Sequence, residues 1–399
     1  MHPPEQVDRA LGQVGDFIVK VWERCNLACD YCYMYEGPDK SFRNRPRNMS
    51  EKTFSRFAEQ IGVYAREQGK RDLFVIFHGG EPTLQSPEFF QRATLAVNAA
   101  TPPGTGVHFS MQTNGTRLTH EHLEVFAAND VKIGISLDGG RVANDRHRLL
   151  KTGRGTYAET MEGLRLLNGN EDHRRLLTGI LAVIDIRNDP LEMYRELRVA
   201  LGFGAPAEVD LSKLSIDFLP PLGNWTYPPP SRPGDFSATP YADWLITVYD
   251  QWTDEMAHGI PTPHIRIFGE IMRRHVTNGE GATQEMFGVD GQYPRNLVVE
   301  TDGTIHLLDA LKTTGPGITD LGLNIFDHDF TTAEVKMREM AQRLGIVALP
   351  PACQPCPVKK ICGGGWYPHR FKKDGDPLFG QLPVYHPDWL KLITYLREQ

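Results

Sequence analysis

The six cysteines of this 399-residue chain fall into two groups of three, Cys25, Cys29 and Cys32 near one end and Cys353, Cys356 and Cys362 near the other. Thiolates are soft metal ligands. Clustered thiols in a large chain point to metal ligation, because a disulfide framework spreads its cysteines through a small secreted domain. A structural zinc site closes with four ligands, commonly as two C-x2-C pairs. The first group is instead C-x3-C-x2-C, with no fourth cysteine beside it. Three thiolates on a four-iron cluster leave one iron open, and an open metal position supports chemistry. The spacing favours iron–sulfur over zinc.

The run Cys25-Asn26-Leu27-Ala28-Cys29-Asp30-Tyr31-Cys32 resembles the signature of radical S-adenosylmethionine (SAM) enzymes, C-x3-C-x-aromatic-C. The resemblance implies a [4Fe–4S] cluster on Cys25, Cys29 and Cys32, with its open iron chelating the amino and carboxylate groups of SAM. It implies Tyr31 near the adenine, and reductive cleavage of SAM to a 5′-deoxyadenosyl radical. Gly79-Gly80-Glu81-Pro82 is similar to the family's GGE-P motif. There the glycines let backbone approach a ligand closely, and Glu81 is the candidate acceptor for the SAM ammonium. By the same resemblance Gln112 and Asn114 lie near the ribose or methionine moiety. Ser136-Leu137-Asp138-Gly139 resembles the family's S-x-D-G strand end, with Ser136 against SAM. Arg148 is the candidate partner for the SAM carboxylate, which suits a planar guanidinium; Arg146 and Arg154 are rivals. Val183 and Ile184 are the candidates to pack on adenine.

These motifs need a scaffold that gathers them. Residues 17–22 form an apolar run that ends just before the cysteine loop, and 73–77, 108–113, 131–137, 176–185 and 213–218 repeat the strand pattern. Between them lie helical periodicities: Phe54, Phe57, Ile61 and Tyr64 after a capping Ser50, then helices opened by Ser86-Pro87 and Thr119, and others near 156–168 and from about 190. Strands alternating with helices predict parallel βαβ units. About six such units resemble the partial (β/α)6 barrel of radical SAM enzymes, an α/β fold whose function sits at the C-terminal strand ends. Every motif falls at such an end.

Beyond 219 the composition changes. A Pro-rich stretch, 220–234, reads as loop or linker, and helices are expected at 240–258 and 264–277. Residues 297–309 read as a β-hairpin around Asp302-Gly303. The Cys353-Gln354-Pro355-Cys356-Pro357 run and the Cys362-Gly363-Gly364-Gly365-Trp366-Tyr367-Pro368-His369-Arg370 run resemble the SPASM or twitch-type tail of peptide-modifying radical SAM enzymes. The expected division is a barrel over 1–219, a Pro-rich and helical segment over 220–294, and an auxiliary-cluster region over 295–399. Three cysteines allow one auxiliary cluster, expected to be [4Fe–4S]. Its fourth iron is taken by Asp309 or His306 after the hairpin, or is open. The glycines after Cys362 would let backbone N–H groups approach cluster sulfurs.

An auxiliary cluster suits a net oxidation, because a substrate radical must shed one electron and one proton. Asp138, Asp217 and His369 are the candidate bases. The expected activity is oxidative cross-linking of side chains in a ribosomally made peptide, joining an aromatic carbon to an aliphatic Cβ. The alternatives are radical modification of a small molecule, such as sulfur insertion at the expense of the auxiliary cluster, and a non-catalytic iron–sulfur or zinc scaffold. Oxidation of a protein Cys or Ser to formylglycine is a weaker variant. The expected partners are the peptide or small-molecule substrate, an electron donor such as flavodoxin or ferredoxin, and a separate leader-peptide carrier protein. The chain carries 43 Lys+Arg against 50 Asp+Glu, a net charge of −7, without a basic run to grip a phosphate backbone. No segment reaches the ~20 apolar residues of a membrane span. No secretory signal opens the chain. Nucleic acid and membrane are therefore not expected partners, and a cytoplasmic location is.

Overall fold

A computed structural model describes residues 14–203, 210–229, 234–282 and 286–399. Six strands lie side by side in chain order, all parallel: β1 (Asp16–Trp22), β2 (Asp72–Gly79), β3 (Gly106–Thr113), β4 (Lys132–Ser136), β5 (Leu177–Val183) and β6 (Ser215–Leu219). Their apolar runs are buried because helices cover the outer face of the sheet, as parallel sheets require. These helices are α1 (Glu51–Glu67), α2 (Pro87–Ala100), α3 (His120–Ala128), α4 (Tyr157–Leu167) and α5 (Pro190–Leu201). The expected caps form: the side chains of Ser50, Ser86 and Thr119 accept the backbone N–H groups of Thr53, Phe89 and His122. Each satisfies an N-terminal donor that the helix itself cannot.

The sheet does not stop at six strands. A two-residue strand β7 (His264–Ile265) extends it beyond β6, so the helix expected from 264 begins at Arg266, as α7 (Arg266–Val276) after α6 (Pro240–Ala257). On the other edge β8 (Asn296–Val299) runs parallel to β1, pairing Phe17 with Leu297. It turns back antiparallel into β9 (Thr304–His306), the expected hairpin, and then into β10 (Asp320–Asn324). Helix α8 (Phe330–Leu344), absent from the sequence reading, packs Phe330 on Phe17 with ring centroids 4.7 Å apart. Its Glu334 accepts the Tyr64 hydroxyl at 2.6 Å. Burying the aromatic trio Phe17, Tyr64 and Phe330 ties both ends of the chain to one core, at about 1.5–3 kcal/mol per large side chain.

The last helix, α9 (His386–Arg397), is held against α6: the buried Asp388 carboxylate accepts the N–H groups of Tyr241 and Ala242 at 2.9 and 3.1 Å. A carboxylate at a helix N-terminus is favoured by the free N–H groups and the dipole there. Trp244, Tyr249, Trp252 and Phe268 are core, as their spacing implied. The Pro-rich stretch is loop where described; residues 230–233 of it lie outside the described residues, as do 1–13 of the expected barrel segment. Among the described residues no helix is long and apolar enough to cross a membrane.

Candidate active site

One cavity of about 460 Å³ opens at the C-terminal ends of the parallel strands. Cys25, Cys29 and Cys32 line it, on the loop leaving β1, with Tyr31, Gly79, Gly80, Glu81, Gln112, Asn114, Ser136, Arg148 and Val183. Asp217 and Arg266 enter from the far strand ends, and Trp366 and His369 from the tail. The motifs scattered from residue 25 to 183 therefore converge on one space.

Glycine at 79 and 80 is a packing requirement. A Cβ on Gly79, whose φ is +140°, would sit 2.1 Å from the Trp22 carbonyl oxygen, and one on Gly80 would sit 2.3 Å from the Arg24 carbonyl carbon. The close approach thus includes the backbone of the cysteine loop itself. Gly80 N–H donates to Trp22 O at 2.8 Å and Glu81 N–H to Arg24 O at 3.1 Å, so the end of β2 fixes where Cys25 begins.

Glu81 is buried and binds four donors. Its Oε1 accepts from Thr83 N–H (2.9 Å), Thr83 Oγ1 (2.6 Å) and Thr113 Oγ1 (2.6 Å), and its Oε2 accepts from Asn114 N–H (2.8 Å). Oε1 is saturated, while Oε2 retains capacity for one more donor. Asn114 reaches back with Nδ2 to Asn26 Oδ1 at 3.0 Å, beside Cys25. Gln112 Nε2 donates to Ser136 Oγ at 2.9 Å, so two expected SAM contacts hold each other. Gly134 makes room for that pair, since a Cβ there would lie 2.4 Å from Gln112 Oε1. Sequence reasoning missed Gly134; an unexplained Gly inside a strand was the available signal.

The Tyr31 hydroxyl donates to Asp138 Oδ2 at 2.5 Å and accepts from Arg148 Nη1 at 2.9 Å. Asp138 Oδ1 also accepts the Val183 N–H at 2.9 Å. Asp138 does not line the cavity, which corrects its assignment as a base. It lies behind Tyr31 and orients it, and burial raises its carboxyl above the ordinary range. Arg148 faces the cavity, and its buried Nε has no hydrogen-bond partner, a donor suited to a carboxylate. The rivals are engaged elsewhere: Arg146 binds Asp185 at 2.7 Å, and the exposed Arg154 pairs with Glu159. Ile184 is wholly buried core and does not line the cavity, whereas Val183 does.

Burial pushes the Cys25 thiol up to about 12 and Cys29 to about 11, with Glu81 adding to the first. Thiols held neutral this strongly ionise when a metal binds them. Among the described residues no three His, Cys, Asp or Glu side chains converge as a single metal ion requires. Zinc would need sulfurs each about 2.3 Å from one point, whereas a four-iron cube takes its thiolates at separate corners. Three soft thiolates on one loop, facing one cavity, are a donor set of the kind that holds an iron–sulfur cluster.

Toward the tail, Asp217 Oδ2 pairs with Arg266 Nη1 at 2.6 Å. His369 Nδ1 lies 2.8 Å from the Gly223 carbonyl, so Nδ1 is the nitrogen that donates there. His78 also lines the cavity. Burial, and then Lys20, pushes its pKa down to about 4.

The second cysteine group lines a narrow cavity of its own, with Val358, Lys359, Gly364, Pro383, His386 and Leu390. Asp309 does not line it, which corrects its expected role as a ligand there. Its carboxylate is buried against Lys20 Nζ at 2.9 Å and Lys312 Nζ at 3.3 Å, and those cations hold it below the usual range. His306 is likewise engaged, by Thr319 Oγ1 at 3.0 Å and Arg45 Nη2 at 3.1 Å. Gly363, Gly364 and Gly365 all take positive φ, +55°, +76° and +65°. That left-handed run turns the chain back on Cys362, whose carbonyl oxygen accepts the Gly365 N–H at 2.9 Å.

Residues 19–196 match the model of the radical SAM superfamily. The serine-type anaerobic sulfatase-maturating enzyme of Bacteroides thetaiotaomicron is 26% identical over 365 residues, covering 88% of this chain and 83% of that protein. The cysteine-type enzyme of Clostridium novyi is 25% identical over 289 residues, covering 71% of this chain and 70% of its own. The fold matches that of native anSMEcpe with bound AdoMet and Cp18Cys peptide, with a TM-score of 0.77 at 20% identity over 96% of both chains. It also matches Streptococcus suis SuiB bound to precursor peptide SuiA, with a TM-score of 0.63 at 15% identity, covering 95% of this chain and 77% of that one. Residues 19–196 are a radical SAM domain, a family that uses SAM and a [4Fe–4S] cluster, and the homologues of the chain include anaerobic sulfatase-maturating enzymes.

Proposed function

We propose that this enzyme oxidises a side chain of a peptide substrate, abstracting hydrogen at a C–H bond and closing an oxidative cross-link between side chains. The observation that carries the reading is the single cavity lined by the first three cysteines at one end and by Arg266, Trp366 and His369 at the other. Cys25, Cys29 and Cys32 hold the cluster, and Arg148, Glu81 Oε2, Gln112, Asn114, Ser136, Tyr31 and Val183 hold SAM. When bound, these groups supply a 5′-deoxyadenosyl radical, and a second cluster on Cys353, Cys356 and Cys362 supplies an electron acceptor. The substrate loses one hydrogen atom, then one electron and one proton, for a net loss of two hydrogens. His369 Nε2 is the base in this scheme, and the Asp217–Arg266 pair, being charged and mutually neutralising, binds peptide polar groups. Peptides named with anSMEcpe and SuiB support a peptide substrate here. A flavodoxin or ferredoxin supplies the first electron, and a separate carrier protein presents the peptide leader.

A second reading, oxidation of a Ser or Cys side chain to an aldehyde, is favoured by the homologues' names and their coverage of most of this chain. The test uses anaerobically reconstituted protein with SAM, dithionite and a peptide panel, read by mass spectrometry. About eight irons per chain, with 5′-deoxyadenosine release lost in Cys29→Ala and partly kept in Cys356→Ala, supports the scheme. A product two hydrogens lighter that resists hydrazide reagents supports cross-linking, whereas a hydrazide-reactive product supports the aldehyde, two hydrogens lighter from Ser and with sulfur also exchanged for oxygen by hydrolysis, releasing H2S, from Cys. Nucleoside release without change in any peptide would move the substrate to small molecules.

A further inference from the structure

The second cysteine group supplies three ligands, and the carboxylate and imidazole expected to add a fourth are engaged elsewhere. The cavity those thiols line contains two further polar side chains, Lys359 and His386. A protonated Lys359 has no lone pair to give, and its Nζ lies 3.3 Å from Gln354 Oε1. His386 differs. It opens α9, and its imidazole has no hydrogen-bond or ion-pair partner among the described residues. Both flanks of its backbone are rigidly placed. The Tyr385 hydroxyl donates to Pro221 O at 2.6 Å, His386 N–H donates to Pro383 O at 2.8 Å, and Asp388 binds the start of α6. A side chain presented by so fixed a backbone, toward three thiols and otherwise apolar walls of Val358, Pro383 and Leu390, is placed to ligate.

We propose that His386 is the fourth protein ligand of the second iron–sulfur site, completing a Cys3His set with Cys353, Cys356 and Cys362. The proposal rests on the reading that this group holds a cluster. A neutral imidazole in place of a thiolate leaves the cluster one negative charge fewer and raises its potential, the direction seen when His replaces Cys on iron. That change favours accepting an electron from a substrate radical.

The test is pulsed EPR of the reduced holoenzyme prepared without SAM, from cells grown with natural or 15N-labelled histidine. A nitrogen coupling of a ligating imidazole is expected, changed by the label and abolished in His386→Cys. That variant should keep its iron content while its auxiliary midpoint potential falls. In His386→Gly, added 15N-imidazole should restore the coupling, which covers the case in which the thiolate variant fails to assemble. Absence of a histidine coupling in wild type with both clusters present overturns the proposal, as does a coupling that survives in His386→Cys. The cluster reading itself fails separately, if Cys353→Ala/Cys356→Ala/Cys362→Ala protein binds as much iron as wild type.

Discussion

Glu81→Gln separates two roles that the fold assigns to one buried side chain. The carboxylate accepts four hydrogen bonds, three at Oε1 and one at Oε2, that tie the end of β2 to the end of β3. The amide keeps the three by placing its oxygen at Oε1, which sets an NH2 group against the Asn114 N–H. One charge-assisted bond is lost and one buried donor is left unsatisfied, a cost of about 2–4 kcal/mol. Glu81→Ala strands all four donors and must cost more. Urea unfolding of the metal-free protein, followed by tryptophan fluorescence, measures both. A loss under about 0.5 kcal/mol for Gln, or Ala no worse than Gln, would refute the role as a hub. Calorimetric titration of SAM into the holoenzyme tests the other role. Losing an ionic acceptor for the SAM ammonium at Oε2 should weaken binding about 10- to 150-fold, from ~1.5–3 kcal/mol. Unchanged affinity in a folded variant would place the ammonium elsewhere.

Two further outcomes follow from local geometry. A methyl at Gly134 meets the flexible end of Gln112, 2.4 Å from Oε1, so Gly134→Ala should cost under about 2 kcal/mol yet break the Gln112–Ser136 bond and weaken SAM binding. A methyl at Gly80 meets the Arg24 backbone, which cannot turn aside, so Gly80→Ala should cost more than about 3 kcal/mol in the same unfolding assay. Equal losses in the two variants would contradict the distinction. His78 predicts a pH dependence. With its pKa lowered to about 4 by burial, the folded state binds fewer protons than the unfolded state between that value and the ordinary 6.5. Stability therefore rises with pH across this window and is lost on acidification through it, by up to about 3 kcal/mol. His78→Gln should flatten that segment of the stability–pH curve, and an unaltered slope would show that other groups carry it.

The first cluster site was legible because its chemistry is local. Cys25, Cys29 and Cys32 sit on one loop, and each companion motif sits at the end of a strand whose apolar run is readable by itself. Parallel βαβ order then brings Glu81, Asn114 and Ser136 to one face without further information. What could not be read depended on pairings between distant strands. Asp309 looks like a ligand after a hairpin turn. In the fold β8 lies beside β1, which sets Asp309 against Lys20 on the first strand, and two buried cations consume its charge. Asp138 looks like a strand-end base because nothing in the sequence shows that Tyr31, 107 residues earlier, spends its hydroxyl on it.

Polar residues at strand ends are thus ambiguous by nature. The same carboxylate serves as a base if it faces the cavity and as a brace if a neighbour reaches it first, and only the tertiary partner decides. Asp138 and Asp217 illustrate the division. Both are nearly fully buried, at 2% exposure, and both bind a strong donor. Asp138 is closed behind an aromatic ring, whereas Asp217 and its Arg266 remain on the cavity wall. The residue that supplies Arg266 stands where α7 begins, two residues into what periodicity alone had read as helix, and it is the short strand β7 that turns it toward Asp217. The SAM end of the cavity is built from motifs, whereas Asp217 and Arg266 belong to none and meet only through this tertiary pairing, so variation among relatives in what they oxidise should concentrate at Asp217 and Arg266. Exchanging Arg266 for Lys keeps the charge but loses the planar fork. It should raise KM for the peptide while leaving the affinity for SAM unchanged, and a parallel loss of SAM binding would show that the two ends are not separable.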